Sequence, residues 1–323
     1  MKIVDTYRED FIRFLNKKIQ VKEPINLYEP IHYILQLGGK RLRPVLTLVT
    51  CNIFGGNEMD AYDAALAVEV FHNFTLVHDD IMDSAPVRRG KVTVHKKWDV
   101  NTGILSGDAM LTLAYQCFEN YDPIIFKKLV KLFSKTSLQV CEGQQLDIDF
   151  ETRNNVSIAE YLKMISFKTA VLLAAAMKMG AIIANAKEEE AEKVYNFGLN
   201  LGIAFQLQDD YLDTFGDAEL FGKQIGGDIS ENKKTFLYLK ALEISNVKDK
   251  ENLYSLYNTN QRNKSKISEV TGIFERNNIP EITMREIERY TNKAFEILES
   301  LSLNVKKKEI LKSFGLELMK RRM

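Results

Sequence analysis

Two five-residue strings could bind a metal ion. Asp79-Asp80-Ile81-Met82-Asp83 and Asp209-Asp210-Tyr211-Leu212-Asp213 share one pattern, DDxxD, 130 positions apart. On a helix the first and fifth residues of such a string lie four apart on one face, with about 5–6 Å between Cβ atoms. Three carboxylates in one turn repel one another. Both strings close strongly apolar segments, FTLVHDDIMD and FQLQDDYLDTF, and partly buried carboxylates without partners are costly. A hard divalent cation resolves both problems. Mg²⁺ takes a few carboxylates and completes its shell with water and phosphate oxygens. One such string alone reads as a solvated helix end; two make metal binding the better reading.

A metal-bound diphosphate still presents oxygens to cationic donors, and basic residues follow each string. Arg88-Arg89-Gly90 comes shortly after Asp83, while Lys223, Lys233 and Lys234 follow Asp213. A third basic string, Gly38-Gly39-Lys40-Arg41-Leu42-Arg43-Pro44, is a glycine-rich turn entering a helix, with Pro44 suited to the first helical turn. A helix start offers backbone N–H groups to an anion, and Arg43 can add a bidentate contact. The plainer alternatives are a salt bridge from Arg88 back to the aspartates and solvated lysines in loops.

The elements that position these residues read as helices throughout. The chain has 323 residues and six prolines, and long stretches are rich in strong helix formers. Apolar residues recur at three and four, as at Ala64, Ala67, Val68 and Phe71, and no alternating run demands a sheet. The expected helices are 4–20, 43–54, 58–83, 93–120, 123–149, 158–184, 188–213, 232–244, 248–258, 260–277 and 281–302, then a short C-terminal one. No Ser/Gly/Pro linker divides the chain, so residues 1–323 are expected to form a single all-α domain. The segments 84–92 and 214–231 stand out as glycine-containing charged loops.

Composition narrows the function classes. Lys plus Arg equals Asp plus Glu at 44 each, which gives no global case for nucleic-acid binding. Cys51, Cys117 and Cys141 form no CxxC pair and read as reduced thiols of a cytoplasmic protein. The four histidines form no zinc pattern. The N-terminus lacks the apolar core of a signal peptide. The apolar stretch 170–184 is shorter than the roughly 20 residues that span a bilayer, so stable membrane insertion is not expected.

These strings resemble the trans-isoprenyl diphosphate synthases, the polyprenyl synthetase family that includes farnesyl and geranylgeranyl diphosphate synthases. The matching residues are GGKRLRP at 38–44, LVHDDIMDSAPVRRG at 76–90, GDAML at 107–111, EGQQLD at 142–147, FKTA at 167–170 and FQLQDDYLD at 205–213. GK at 222–223, GGD at 226–228 and KKT at 233–235 complete the set. The resemblance implies an Mg²⁺-dependent transferase, with three ions per site, that joins isopentenyl diphosphate to dimethylallyl, geranyl or farnesyl diphosphate. It implies a helical bundle with a central cavity, and a homodimer. It makes Asp79, Asp80, Asp83, Asp209, Asp210 and Asp213 the metal-binding set, with Asp79, Asp83, Asp209 and Asp213 as the ligands proper. Arg88, Lys168, Thr169, Gln206, Lys223 and Lys233 fall around the allylic diphosphate. Lys40, Arg43, His72 and Arg89 fall around isopentenyl diphosphate. Two positions depart from the family pattern: Val92 replaces a frequent Pro, and Asn232 replaces a frequent Gly.

Product length in this family depends on bulk just before the first DDxxD. Phe74 is aromatic and Thr75 small, with Phe71 a turn further down. That pattern is closer to geranylgeranyl (C20) than to farnesyl (C15) synthases. Two rival readings remain at this point: a terpene cyclase of the same fold, and a non-catalytic partner subunit of a prenyl synthase. A cyclase would not need the second basic set, and a partner subunit would be expected to lose site residues that are all present here.

Overall fold

The computed structural model describes residues 2–217, 225–259 and 264–320. Its contacts divide the chain into two compact units, each made of two stretches. The first comprises Met1–Ser134 with Ala175–Glu192; the second comprises Lys135–Ala174 with Lys193–Met323.

The first unit is built on α1 (Lys2–Lys18), α2 (Ile25–Gln36), α3 (Leu42–Ile53), α4 (Tyr62–Met82), α5 (Val94–Lys97) and α6 (Val100–Gln116). The centre is α4. Its residues from Ala64 to Phe71 are buried one after another, as in a helix enclosed on all sides rather than one with a single apolar stripe. The expected helices do not include α2. Pro30 does lie inside it, yet Ile31, Ile34 and Leu35 bury one face, and that burial outweighs the hydrogen bond a proline forfeits. The expected helix 93–120 is broken. Asp99 accepts from the Thr102 amide at 2.7 Å and starts α6 as its N-cap.

Between α4 and α5 runs a small antiparallel hairpin, β1 (Val87–Arg88) paired with β2 (Lys91–Val92). Its two turn residues, Arg89 and Gly90, have φ of 52° and 74°. Positive φ at both positions is what a type I′ hairpin turn requires.

Helix α7 (Pro123–Thr152) continues from the first unit into the second. The second unit also holds α8 (Ile158–Ile165), most of α10 (Glu188–Phe215), α11 (Gly227–Ser230), α12 (Phe236–Ile244), α13 (Val247–Tyr257), α14 (Lys264–Arg276), α15 (Ile279–Glu299) and α16 (Val305–Met319). Tyr161, Leu207, Leu237, Leu253, Val270, Phe274 and Ile279 form the heart of its core. Ser157 and Glu160 make a reciprocal capping box that starts α8.

Helix α8 passes through a π turn, Ser166–Ala170, into α9 (Val171–Ile183). The whole run Ile158–Ile183 is therefore long and apolar enough to cross a membrane, unlike the shorter stretch read from the sequence. However, 78% of its most apolar window is buried inside the protein, the pattern of a core helix.

Candidate functional site

In the first unit, α4 delivers the first acidic string to its own C-terminal end, with Asp83 as the C-cap. The three aspartates are not equivalent. Asp80 is 1% exposed. Its two oxygens accept from Arg88 Nε at 2.8 and 2.9 Å, and Arg88 Nη2 lies 2.7 Å from Oδ1. Asp79 is half-buried and Asp83 is exposed. The expectation had Asp80 among the metal-binding residues and Arg88 at the substrate diphosphate. The structure pairs them, because the hairpin folds back onto the end of α4.

The second basic set is brought together within the same unit. Arg43 Nη1 lies 3.2 Å from His72 Nε2. Arg89, at the hairpin tip, donates to the Gly38 carbonyl and occupies the space beside Gly39, where a Cβ would stand 2.8 Å from Nη1. Gly38 and Gly39 both have positive φ, so the turn that carries Lys40 depends on glycine. Sequence reasoning missed Arg41. It is buried, has φ of 50°, and forms an ion pair with Glu69 of α4 while donating to Leu35 O. Glu69 in turn accepts from Asn73 at 2.9 Å. The Arg41 pair fixes the glycine-rich turn to the helix that carries the aspartates.

Burial pushes the His72 imidazole well below its usual value of 6.5, and the charges of Arg43, Arg89, Arg88 and Arg41 push the same way. A histidine kept neutral by the fold takes up its proton more readily when unfolded. Its contribution is therefore present above about pH 6.5 and is lost as pH falls below it. The unfolding free energy from urea titrations should drop on acidification through this range, by up to about 1.4 kcal/mol per pH unit. His72→Gln should flatten that part of the profile.

The chain-length residues also sit in the first unit. Phe71 and Phe74 have ring centroids 5.5 Å apart, and Phe74 meets His78 edge-on at 4.7 Å. The sequence missed Phe133 of α7, which packs on Phe71 at 5.2 Å and also touches Tyr115 and Phe118. Thr75 turns its hydroxyl to the His72 carbonyl at 2.8 Å.

In the second unit a cavity of about 220 Å³ is lined by Asp147, Tyr161, Lys168, Thr169, Gln206, Asp209, Asp210, Asp213, Asp228, Lys233 and Lys234. The π turn supplies Lys168 and Thr169. Two glycines let helices close on it: a Cβ at Gly143 of α7 would lie 2.3 Å from Lys168 N, and one at Gly202 of α10 would lie 2.8 Å from Ala170 Cα. Lys168 Nζ pairs with Asp147 at 2.6 Å. Thr169 donates to Gln206 Oε1 at 3.1 Å, Gln206 donates to Asp210 Oδ1 at 2.9 Å, and the Tyr161 hydroxyl donates to Asp210 Oδ2.

Asp210 is thus the counterpart of Asp80, the middle aspartate turned inward. Burial, and then the neighbouring charge of Asp228, push its carboxyl well above the usual carboxylate range, against the donation from Tyr161 and Gln206. Asp213 accepts the Asp228 amide at 2.9 Å, which docks the GGD turn onto the end of α10. Lys234 donates to the Phe150 and Glu151 carbonyls at 2.6 and 3.1 Å, capping the last turn of α7. Lys233 lines the same cavity, with Nζ 3.6 Å from Glu231 Oε2. Lys223 lies outside the described residues.

The donor set suits a hard divalent cation. Asp209, Asp213 and Asp228 all face one cavity and offer oxygen. Among the described residues no three acidic, His or Cys side chains form a ready-made metal cage. An ion held there would complete its shell with phosphate and water oxygens, as Mg²⁺ does.

The polyprenyl synthetase family model matches residues 24–274. The chain belongs to the polyprenyl synthetase family. As a short-chain prenyltransferase of that family, it is 42% identical over 231 residues to the geranylgeranyl diphosphate synthase of Methanosarcina mazei, covering 71% of each chain. It is 35% identical over 311 residues to that of Sulfolobus acidocaldarius, covering 94% of this synthase and 93% of the other. A crystal structure of a geranylgeranyl pyrophosphate synthase superposes with a TM-score of 0.94 at 53% identity and 99% coverage of both chains. The Corynebacterium glutamicum geranylgeranyl pyrophosphate synthase, solved with isoprenyl diphosphate and magnesium, matches at 25% identity and a TM-score of 0.87 over 99% of each chain.

Proposed function

We propose that this synthase adds isopentenyl diphosphate to dimethylallyl, geranyl and farnesyl diphosphates and releases geranylgeranyl diphosphate (C20). What supports this reading is two separate clusters of side chains suited to a diphosphate. One is Arg43 with His72 of α4 and Arg89 beside the Gly38–Gly39 turn that leads into Lys40. The other is the acidic cavity with Lys168 and Lys233. A single diphosphate needs one set, and a condensation needs two.

The outer aspartates of each string, Asp79 and Asp83 in one and Asp209 and Asp213 in the other, are proposed as the residues that would bind Mg²⁺, with three ions per site. When bound there, magnesium would supply charge neutralisation at the allylic diphosphate leaving group. Asp80 and Asp210 hold their helix ends in place through Arg88 and through Tyr161 and Gln206. Lys168 and Lys233 bind diphosphate oxygens and stabilise the departing charge. As the C–O bond breaks, the Thr169 and Gln206 oxygens face the allylic cation. The double bond of isopentenyl diphosphate then attacks, and the departing diphosphate accepts the final proton. Arg43 and Arg89 hold isopentenyl diphosphate in place, which removes the entropic cost of bringing two reactants together.

Residues 1–323 are taken as one isoprenoid synthase domain working in the cytoplasm as a homodimer. Ile104 and Leu105 of α6, 44% and 61% exposed, are the sort of apolar surface a second copy would cover.

Product length tests the reading. With farnesyl and isopentenyl diphosphates the enzyme should make a C20 product, and absence of that product would overturn the assignment. Phe74→Ala should lengthen the product by at least one C5 unit, read by reversed-phase chromatography of the dephosphorylated alcohols. An unchanged product would exclude Phe74 as the floor.

A further inference from the structure

Lys266 of α14 is 2% exposed, an unusual place for an ammonium group. It donates to Asn232 Oδ1, lies 3.5 Å from the Thr259 carbonyl and sits 5.5 Å from the centroid of the Tyr257 ring. Asn232 Nδ2 donates to the same Thr259 carbonyl at 3.2 Å. Lys266 and Thr259 thus hold both ends of the Asn232 amide.

Asn232 has φ of 58°. Side chains rarely adopt this left-handed region, where glycine is at ease. The next residue is Lys233, whose amide donates to Asp228 O at 2.9 Å and whose side chain lines the acidic cavity. Asn232 is therefore the point at which the chain turns from α11 into the KKT string. Its side chain has the contacts that a glycine would not need.

We propose that Lys266 is a positioning residue: through the Asn232 amide it holds the left-handed turn that sets Lys233 in the cavity. The proposal rests on the reading of Lys233 as a ligand of the allylic diphosphate. Lys266 acts through Asn232, whose Oδ1 accepts from its ammonium group.

Lys266→Met keeps the stem and removes the donor, which leaves Asn232 Oδ1 without its Lys266 partner, so the loosened turn should appear in binding. kcat/KM for the allylic diphosphate should fall about 10-fold, with the KM for isopentenyl diphosphate within about 2-fold. In an Asn232→Gly background the turn no longer needs the side chain, so adding Lys266→Met should change kcat/KM by less than about 2-fold. Equal losses in both backgrounds, or no loss in either, would overturn the proposal.

Hydrogen exchange over residues 230–235 gives a readout that needs no turnover. Faster exchange in Lys266→Met but not in the double variant supports the pinned turn; unchanged exchange overturns it. If the wild-type enzyme performs no condensation, it is the reading of the site that fails, and the exchange data judge the turn alone.

Discussion

Asp79→Ala and Asp209→Ala should each lower kcat/KM for condensation by about 10³-fold or more, with little change in melting temperature. The reason is the division of labour within each string. Asp80 and Asp210 are buried and held by protein donors. Asp79 is half-buried at the end of α4, and Asp209 lines the acidic cavity. Losing one metal-binding carboxylate removes several kcal/mol of transition-state charge stabilisation, and about 4 kcal/mol corresponds to 10³-fold. The middle residues should behave in the opposite way. Asp80→Ala leaves the Arg88 guanidinium without its carboxylate, so melting temperature should fall together with activity. Parallel melting and steady-state measurements on the two classes separate them. Asp79→Ala retaining near wild-type turnover would sink the division.

A second large effect is expected at a residue with no side chain. A Cβ at position 143 would stand 2.3 Å from Lys168 N and 2.7 Å from Lys168 Cα. Both are backbone atoms, so neither can rotate away. Gly143→Ala must push α7 off the π turn that presents Lys168 and Thr169. Overpacking of this kind costs about 1–3 kcal/mol, and a displacement near 1 Å at catalytic groups costs about 10²-fold in rate. Gly272→Ala in α14 is the control. There the nearest atom to a new Cβ is Arg276 Nη1 at 3.7 Å, and alanine should stabilise by about 1 kcal/mol through helix propensity. If Gly143→Ala were as benign as the control, the π turn would not depend on this close approach.

The features that were legible in the sequence share one property: they are local. Each DDxxD string ends a helix because the apolar periodicity stops there, and the helix that starts just after Arg41 follows a turn that its glycines make possible. The features that were not legible depend on partners far away in the chain. Nothing in DDIMD marks Asp80 as inward; Arg88, eight residues on, does that only once the hairpin folds back. Asp210 is turned in by Tyr161, 49 residues earlier. Helical spacing around Phe71 gives no hint of Phe133 from another helix. FKTA reads as ordinary helix, and its π turn arises where glycines of α7 and α10 press on it. The hairpin tip carries Arg-Gly rather than the usual Asn-Gly or Asp-Gly, which hid the two short strands. Asn232 departs from the family pattern at one position, and the reason lies in α14.

The proposed condensation requires two diphosphates bound at once. Diphosphate release from farnesyl diphosphate, measured with magnesium in the presence and absence of isopentenyl diphosphate, tests it most directly. Release should depend on isopentenyl diphosphate and equal, mole for mole, the isopentenyl units incorporated into product. Release that runs equally fast without isopentenyl diphosphate would contradict it and point to ionisation of a single substrate.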